Sequence, residues 1–172
     1  MKKIKRALIS VSDKKKLKPL LEILKKNKIE IISSGGTYKE IRRLKYKSIE
    51  VSQYTGSPEI LSGRVKTLHP KIHAGILNKR SNKSHYKDLI KNNFKNIDLI
   101  IVNFYPFEET LKKNLSYKKI IENIDIGGPA LVRAAAKNHE DVVVITSSSQ
   151  YDELIKEIIK FKGSTSINFR QR

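Results

Sequence analysis

The sequence predicts an α/β fold with three layers, in which a doubly wound, mainly parallel sheet is covered by helices on both faces. Short apolar runs alternate with amphipathic, lysine-rich segments and no internal linker separates them, as in parallel sheets with right-handed crossovers. Residues 97–102 are apolar at every position except Asp98, which is typical of a central parallel strand. Small and polar residues follow the apolar runs where the next helices begin.

The elements follow from hydrophobic periodicity taken in chain order. Strands are predicted at residues 7–10, 29–33, 49–51, 99–103 and 142–146. Helices are predicted at residues 14–26, 37–44, 84–92, 117–123, 129–137 and 150–161. Residues 53–78 are predicted to be irregular, and loops of this length are usually functional.

Composition narrows the class of protein. The chain has 172 residues, of which 38% are hydrophobic, so it can bury a sizeable core as one domain. The absence of a membrane-length apolar run and of an apolar signal region leads us to expect a cytoplasmic protein without a membrane partner. No cysteine is present, which excludes disulfides, thiolate zinc sites and a cysteine nucleophile.

The net charge of +19 raises the question of nucleic-acid binding. The lysines are scattered over every predicted helix and do not gather with aromatic residues on one face. We therefore expect no specific nucleic-acid partner, and only weak nonspecific adhesion at low salt.

Two strand-to-helix turns carry phosphate-binding chemistry. Residues 10–14 (Ser-Val-Ser-Asp-Lys) follow the first predicted strand, and residues 33–37 (Ser-Ser-Gly-Gly-Thr) follow the second. Free N–H groups at a helix start bind anions, and the carboxyl ends of neighbouring parallel strands can share one ligand. The same residue types also serve as helix caps without any ligand. Lys14 favours the phosphate, because the first turn of a helix is unfavourable for a cation unless an anion lies there.

Residues 63–70 (Gly-Arg-Val-Lys-Thr-Leu-His-Pro) lie within the long predicted loop. Arg64 and Lys66 followed by Thr67 could straddle a phosphate or polarise a carbonyl oxygen, although a solvated basic loop is the alternative. His69 and His73 have a chelating spacing, but Pro70 should disturb a helix there and no third ligand is evident. The sequence therefore predicts no metal site.

Two further clusters follow the central strand. Residues 103–107 (Asn-Phe-Tyr-Pro-Phe) offer an amide and a phenol to a planar ligand. Asp125 precedes Gly-Gly-Pro and could be a ligand group or simply the cap of the next helix. Lys137 could likewise be an ordinary cation near a helix C-terminus.

Six blocks stand in one order along the chain: Val-Ser-Asp-Lys, Ser-Gly-Gly-Thr, Gly-Arg-Val-Lys-Thr-Leu-His-Pro, Asn-Phe-Tyr-Pro-Phe, Asp-Ile-Gly-Gly and Arg-Ala-Ala-Ala-Lys-Asn-His. Residues 6–150 thereby resemble the amino-terminal IMP cyclohydrolase domain of the bifunctional AICAR transformylase/IMP cyclohydrolase family, whose fold is methylglyoxal-synthase-like. The resemblance implies ring closure of 5-formamidoimidazole-4-carboxamide ribotide (formylated AICAR) to IMP with release of water, the last step of de novo purine biosynthesis. It implies a nucleotide substrate and product, no metal or organic cofactor, and leaves a homodimer open.

The resemblance also implies a role for each matched position. The positions that would surround the nucleotide phosphate and ribose are Ser12, Asp13, Lys14, Ser34, Gly35, Gly36 and Thr37. A second nucleotide-binding block comprises Arg64, Val65, Lys66 and Thr67, and the positions that would line the base are Val102, Asn103, Asp125 and Ile126. Lys137 matches the principal proton-transfer residue, and the positions that would assist catalysis are Lys66, Tyr105 and Asp125.

The implied reaction calls for such groups, because an amide nitrogen attacks a formyl carbon only if its proton is removed while the developing alkoxide is stabilised. We expect Asp125 and Lys137 to handle the amide proton and the departing water, and Lys66 and Tyr105 to stabilise the oxyanion. A helix between Asp125 and Lys137 would span about 20 Å. The two can therefore meet at one substrate only if the chain bends or the helix starts late.

By the same resemblance, residues 1–163 form the cyclohydrolase domain. Residues 164–172 begin a segment that in relatives leads toward the transformylase domain, so we expect a fragment or a truncated product that cannot carry out the formyl transfer. A methylglyoxal synthase and a non-catalytic, nucleotide-binding regulatory domain of the same fold are the alternatives. The joint presence of Lys66, Tyr105, Asp125 and Lys137 favours the cyclohydrolase.

Overall fold

The computed structural model describes residues 3–104 and 116–172. Tyr105, one of the predicted catalytic residues, lies outside the described residues. In the described part of the chain five strands form one parallel sheet in the order β3-β2-β1-β4-β5. They are β1 (Arg6–Val11), β2 (Glu30–Ser33), β3 (Ile49–Glu50), β4 (Leu99–Asn103) and β5 (Val143–Ile145). This sheet confirms the predicted doubly wound α/β fold.

The α-helices of the described residues are α1 (Leu17–Lys26), α2 (Gly35–Arg43), α3 (Val51–Thr55), α4 (Pro70–Leu77), α5 (Lys83–Lys91), α6 (Tyr117–Glu122), α7 (Gly127–Lys137), α8 (Tyr151–Lys160) and α9 (Ile167–Gln171). Short 3-10 helices occur at Leu61–Gly63 and Ser148–Gln150. None of the described helices is long and apolar enough to cross a membrane.

Both faces of the sheet are buried, because successive strand residues point to opposite sides. On one face, Ile9 and Ile101 belong to a buried cluster with residues of α1, α8 and α9. On the other face, Leu8 and Ile100 belong to a second cluster with residues of α3, α4 and α7. The two clusters give the three predicted layers.

Three helix starts differ from the prediction by two or three residues. Helix α1 begins at Leu17 because Lys16 adopts a left-handed conformation with φ 56°, so Lys14 precedes the helix. Lys14 therefore does not lie in the first turn of α1, and the prediction that it does was wrong. Helices α2 and α7 begin earlier than predicted, at Gly35 and Gly127, because the glycines take part in the first turns.

The prediction of an irregular stretch at residues 53–78 was wrong for Pro70–Leu77, which forms α4. Pro70 does not disturb this helix but occupies its first turn, where a missing N–H group and a fixed φ are tolerated. His69 is the N-cap, and its Nδ1 accepts a hydrogen bond from Lys71 N at 3.1 Å.

Residues 164–172 pack on the domain body. Thr165 is buried, and Phe169 belongs to the core cluster beneath α1 and α8. Arg170 donates hydrogen bonds to His139 O and Thr165 O, both at 2.8 Å. A domain boundary at residue 163 stays a prediction.

Candidate active site

A cleft of about 710 Å³ opens at the carboxyl edge of the sheet. It lies where β1 and β4 adjoin, the point at which the strand order reverses and at which open α/β sheets bind ligands. Most of the predicted site residues line it: Ser12, Lys14, Ser34, Gly35, Gly36, Thr37, Arg64, Lys66, Thr67, Asn103, Asp125 and Ile126. Residues that are distant in sequence are thus brought to one cavity.

The side chain of Asn103 joins the ends of β1 and β4. Its Oδ1 accepts hydrogen bonds from Ser12 N at 2.6 Å and Asp13 N at 3.0 Å, and its Nδ2 donates to Asp13 O at 3.0 Å. The Ser12 hydroxyl donates to Phe104 O at 2.9 Å. Asn103 therefore holds the first phosphate turn in place, in addition to the predicted contact with a base.

Asp13 points away from the cleft and stabilises the turn from behind. Its Oδ1 accepts from Lys15 N at 2.9 Å, and its Oδ2 accepts from Ser148 Oγ at 3.1 Å. The hydrogen bond from Lys15 N is the main cause that lowers the pKa of Asp13. Burial, followed by the charge of Asp13, raises the pKa of the neighbouring Tyr151 to about 12.

The N-terminus of α2 faces the cleft with its N–H groups available. Among the described residues, the Ser34 side chain makes no capping hydrogen bond to this helix. The Thr37 hydroxyl is engaged elsewhere, since it binds both backbone groups of Val11. Uncapped N–H groups at a helix start form an anion-binding site.

Two lysines flank this helix start. A Cβ atom built at Gly35 would lie 3.5 Å from Lys66 Nζ, and one built at Gly36 would lie 3.7 Å from Lys14 Nζ. Gly35 has φ +52°, a conformation that side chains disfavour. Backbone N–H groups and two ammonium groups therefore converge on one small volume that suits a phosphate.

The loop before Lys66 is closed by a short antiparallel bridge between Ile60 and Val65. Ile60 N donates to Val65 O at 3.3 Å, and Val65 N donates to Ile60 O at 3.4 Å. Val65 is half-buried and does not line the cleft. If it contacts the nucleotide as predicted, it would do so through its backbone.

A second helix N-terminus, that of α7, opens onto the same cleft. Asp125 Oδ1 accepts a hydrogen bond from Gly128 N at 2.9 Å, so Asp125 caps this helix as well as lining the cleft. Thr67 Oγ1 lies 2.8 Å from the Cβ position of Gly127. Val102 is buried beneath Gly128, so its side chain supports the helix start without lining the cavity.

Lys137 does not reach this cleft within one copy of the chain. Helix α7 runs without interruption through 11 residues from Gly127 to Lys137, a length of about 15 Å. The next residue, Asn138, donates to Ile76 O at 2.8 Å and to Asn78 O at 2.9 Å, which lie at the opposite edge of the sheet. Neither a bend nor a late helix start brings Lys137 to Asp125, and the proton-transfer role of Lys137 stays a prediction.

Two carboxylates that the sequence analysis missed stand beside the predicted cations. Glu59 Oε2 lies 3.0 Å from Lys66 Nζ, and Glu122 Oε2 lies 3.6 Å from Arg64 Nε. Ser62 also lines the cleft. A search for acidic residues near the basic loop could have found Glu59, whereas Glu122 meets Arg64 only through the tertiary fold.

His69 and His73, the two histidines with a chelating spacing, lie in different environments. His69 caps α4, whereas His73 Nε2 is buried and finds no hydrogen-bond partner among the described residues. Burial lowers the pKa of the His73 imidazole. In the described part of the chain no group of three or more His, Cys, Asp or Glu residues could hold a metal ion.

Comparison with known proteins identifies the fold family. Residues 16–130 match the model of the MGS-like domain, and residues 135–172 match that of the AICARFT/IMPCHase bienzyme. The chain belongs to the MGS-like domain family. The resemblance carried by the six sequence blocks is thereby confirmed.

Relatives of this MGS-like domain extend over almost the whole chain. The bifunctional purine biosynthesis protein PurH of Prochlorococcus marinus (strain MIT 9211) is 53% identical over 163 residues, which cover 94% of this chain and 32% of the relative. PurH of Bradyrhizobium diazoefficiens is 46% identical over 171 residues, 99% of this chain and 32% of the relative. The MGS-like chain thus spans about a third of the length of these curated relatives.

A solved structure shares the architecture of this MGS-like domain. The crystal structure of ForH superposes with a TM-score of 0.85 at 30% sequence identity, covering 97% of this chain and 86% of that chain. ForH therefore has the same arrangement of parallel sheet and helices.

Proposed function

We propose that this chain is an IMP cyclohydrolase domain, which closes the pyrimidine ring of formylated AICAR to give IMP and water. The observation that carries the proposal is the cleft itself. It combines the N-terminus of α2, flanked by Lys14 and Lys66, with the polar side chains of Asp125 and Asn103. The relatives named PurH, at about half identity, support the same activity.

The phosphate of the nucleotide binds at the N-terminus of α2 between Lys14 and Lys66. Helix N–H groups and ammonium groups each favour a dianion, and a charge-assisted hydrogen bond contributes about 1.5–3 kcal/mol. The ribose follows along the Ser12 turn. The base then lies toward the N-terminus of α7, because both helix starts line the same cavity.

Ring closure takes place at the α7 end of the cleft. The carboxamide nitrogen attacks the formyl carbon, so that a C–N bond forms and the formyl oxygen becomes an alkoxide. This oxygen takes up one proton from the carboxamide nitrogen and one from the formamido nitrogen. The C–O bond then breaks, water leaves, and a C=N bond forms in the new ring. Asp125 accepts the amide proton with the carboxylate oxygen that Gly128 N leaves free. The N-terminus of α7 stabilises the developing negative charge.

Holding the substrate in its folded rotamer is a large part of the catalysis, because the nucleophile and the electrophile belong to one molecule. The bridge between Ile60 and Val65 and the hydrogen bonds of Asn103 fix the walls of the cleft on two sides. A rigid cavity of this kind restricts rotation of the formamido group.

The proposal is tested by adding formylated AICAR to the purified chain and following the hypoxanthine chromophore of IMP. IMP should form without folate, metal or added cofactor. Activity that disappears with chelator and returns with metal would count against this mechanism, and no product at all would overturn the proposed function.

Non-catalytic nucleotide binding is a second candidate, favoured by one observation: Lys137, the matched proton-transfer residue, is exposed and lies off the cleft. The same assay distinguishes the two candidates. A regulatory domain would bind IMP and give no turnover. A cytoplasmic location, a homodimer and the domain boundary at residue 163 are further proposals that neither candidate requires.

A further inference from the structure

Glu59, a carboxylate of the chain itself, lies behind the cleft-lining Lys66, beside the proposed phosphate site. Glu59 Oε2 lies 3.0 Å from Lys66 Nζ, and about a third of each side chain is exposed, 33% and 32%. Lys66 Nζ in turn lies 3.5 Å from the Cβ position of Gly35 at the start of α2. The carboxylate therefore stands next to the helix N-terminus that has no side-chain cap from Ser34.

The ion pair closes the neck of a strained loop. Residues 59 and 66 flank the bridged residues 60 and 65, so the pair continues that bridge by one position toward the cleft. Within the loop Leu61, Ser62 and Gly63 have φ values of 54°, 54° and 86°. Left-handed conformations at two adjacent non-glycine residues persist only where the surroundings enforce them.

Gly63 makes the close approach of the pair feasible. A Cβ atom at this position would lie 2.7 Å from Lys66 Cε and 3.4 Å from Glu59 Oε2. The loop thus places the ammonium group against its own backbone, with Glu59 on one side and the start of α2 on the other.

We infer that Glu59 is the internal counter-anion of Lys66 and is displaced from it when a phosphate monoester enters the cleft. This inference rests on the proposed function, since it takes the ligand to be a nucleotide. Two anions cannot share one ammonium group at close range without repelling each other. Glu59 therefore lowers the affinity for ligands that carry a phosphate, whereas an uncharged nucleoside does not compete with its carboxylate at Lys66.

The test compares affinities for IMP, inorganic phosphate and inosine by titration calorimetry in the wild-type chain and in Glu59→Gln. The variant keeps the size of the side chain and removes its charge. We expect it to bind IMP and inorganic phosphate about 2- to 5-fold more tightly, the range that a partly exposed ion pair supports. Inosine affinity should not change.

Glu140→Gln is the matched control. Glu140 is exposed and lies at the opposite edge of the sheet, near Arg170, so its substitution changes the net charge equally without touching the cleft. Its affinity for IMP should equal that of the wild type. An equal gain in Glu140→Gln would show a general charge effect and would overturn the inference.

A double-mutant cycle shows whether Glu59 acts through Lys66. In a Lys66→Ala background, Glu59→Gln should leave the affinity for inorganic phosphate unchanged. A gain that persists without Lys66, or weaker or unchanged binding in Glu59→Gln alone, would overturn the inference.

A nuclear magnetic resonance measurement on the wild-type chain tests the same inference without relying on the folding of any variant. The side-chain carboxyl carbon resonance of Glu59 should shift when inorganic phosphate is added, because the ion pair breaks, and an unchanged resonance would overturn the inference. If the wild-type chain binds neither IMP nor inorganic phosphate, both this inference and the proposed function are overturned. If it binds both, and Glu59→Gln binds them no more tightly, only the role of Glu59 is overturned.

Discussion

The Thr37 hydroxyl is bound to both backbone groups of Val11: it accepts from Val11 N at 2.9 Å and donates to Val11 O at 3.0 Å. Thr37 belongs to α2 and Val11 ends β1. This pair of hydrogen bonds holds the two phosphate turns in a fixed relation. The family resemblance implies that Thr37 contacts the phosphate. Because its hydroxyl is already hydrogen-bonded to Val11, this contact would be made by the backbone N–H of Thr37.

Replacing Thr37 with valine should destabilise the fold. The substitution leaves a buried N–H and a buried C=O of Val11 without their partner, which costs about 1–3 kcal/mol. Urea denaturation measures the loss. Thr37→Ser is the control, because it retains the hydroxyl, and equal stability of Thr37→Val and the wild type would show that these bonds are unimportant.

Lys14→Ala should weaken IMP binding by about 10- to 100-fold, because it removes one charge-assisted phosphate contact of roughly 1.5–3 kcal/mol. Turnover at saturating substrate should change little, since the contact acts equally in the ground and transition states. Titration of IMP decides the point. The adjacent Lys15→Ala, which does not alter the cleft lining, is the control, and an unchanged affinity in Lys14→Ala would remove this residue from the site.

Asp125→Asn should separate capping from catalysis. Asparagine caps a helix about as well as aspartate, so the free energy of unfolding should stay near that of the wild type. Loss of the base should reduce turnover by roughly 10²–10⁴-fold. Asp125→Ala loses the cap as well and should unfold more easily by about 1 kcal/mol; wild-type turnover in Asp125→Asn would show that the carboxylate only caps α7.

Gly35→Ala should impair both folding and phosphate binding. Its φ of +52° is strained for alanine by roughly 1–2 kcal/mol, and the new methyl group would lie 3.5 Å from Lys66 Nζ. Thermal unfolding and IMP titration report the two effects. Gly36→Ala has no positive φ and makes only ordinary contacts, so its thermal unfolding should stay close to that of the wild type; equal destabilisation by the two substitutions would contradict the geometry of this turn.

Lys137→Ala tests the proposed proton-transfer role. Because Lys137 lies off the cleft, its removal should leave IMP affinity unchanged, whereas a role in acid–base catalysis would reduce turnover by roughly 10²–10⁴-fold. Arg133→Ala, one turn earlier on α7, is the control and should retain turnover. Near-normal turnover in Lys137→Ala would leave this residue as a cation that stabilises the helix C-terminus.

The sheet was predictable because its strands are buried on both faces, and β4 was placed at residues 99–103 in agreement with the structure. Helix α4 was missed because Pro70 was taken as a helix breaker, although it occupies the first turn of the helix. The start of α1 depends on the left-handed backbone conformation of Lys16. The sequence pattern does not predict this conformation, because lysine has no preference for it.

The candidate site was predictable as a set of turns, because the carboxyl ends of parallel strands meet at one edge. Contacts and distances that depend on the tertiary structure could not be predicted from the sequence. The ion pair between Glu59 and Lys66 depends on a strained loop. The distance of Lys137 from the cleft depends on an unbroken α7.

The most direct test of the central claim is to map backbone amide resonances while IMP is titrated into the wild-type chain. The phosphate is expected at the start of α2, so Gly35, Gly36 and Thr37 should show the largest shifts, together with Gly127 and Gly128 at the base end. Shifts concentrated instead at the opposite edge of the sheet, around Arg80 and Asp98, would contradict the account.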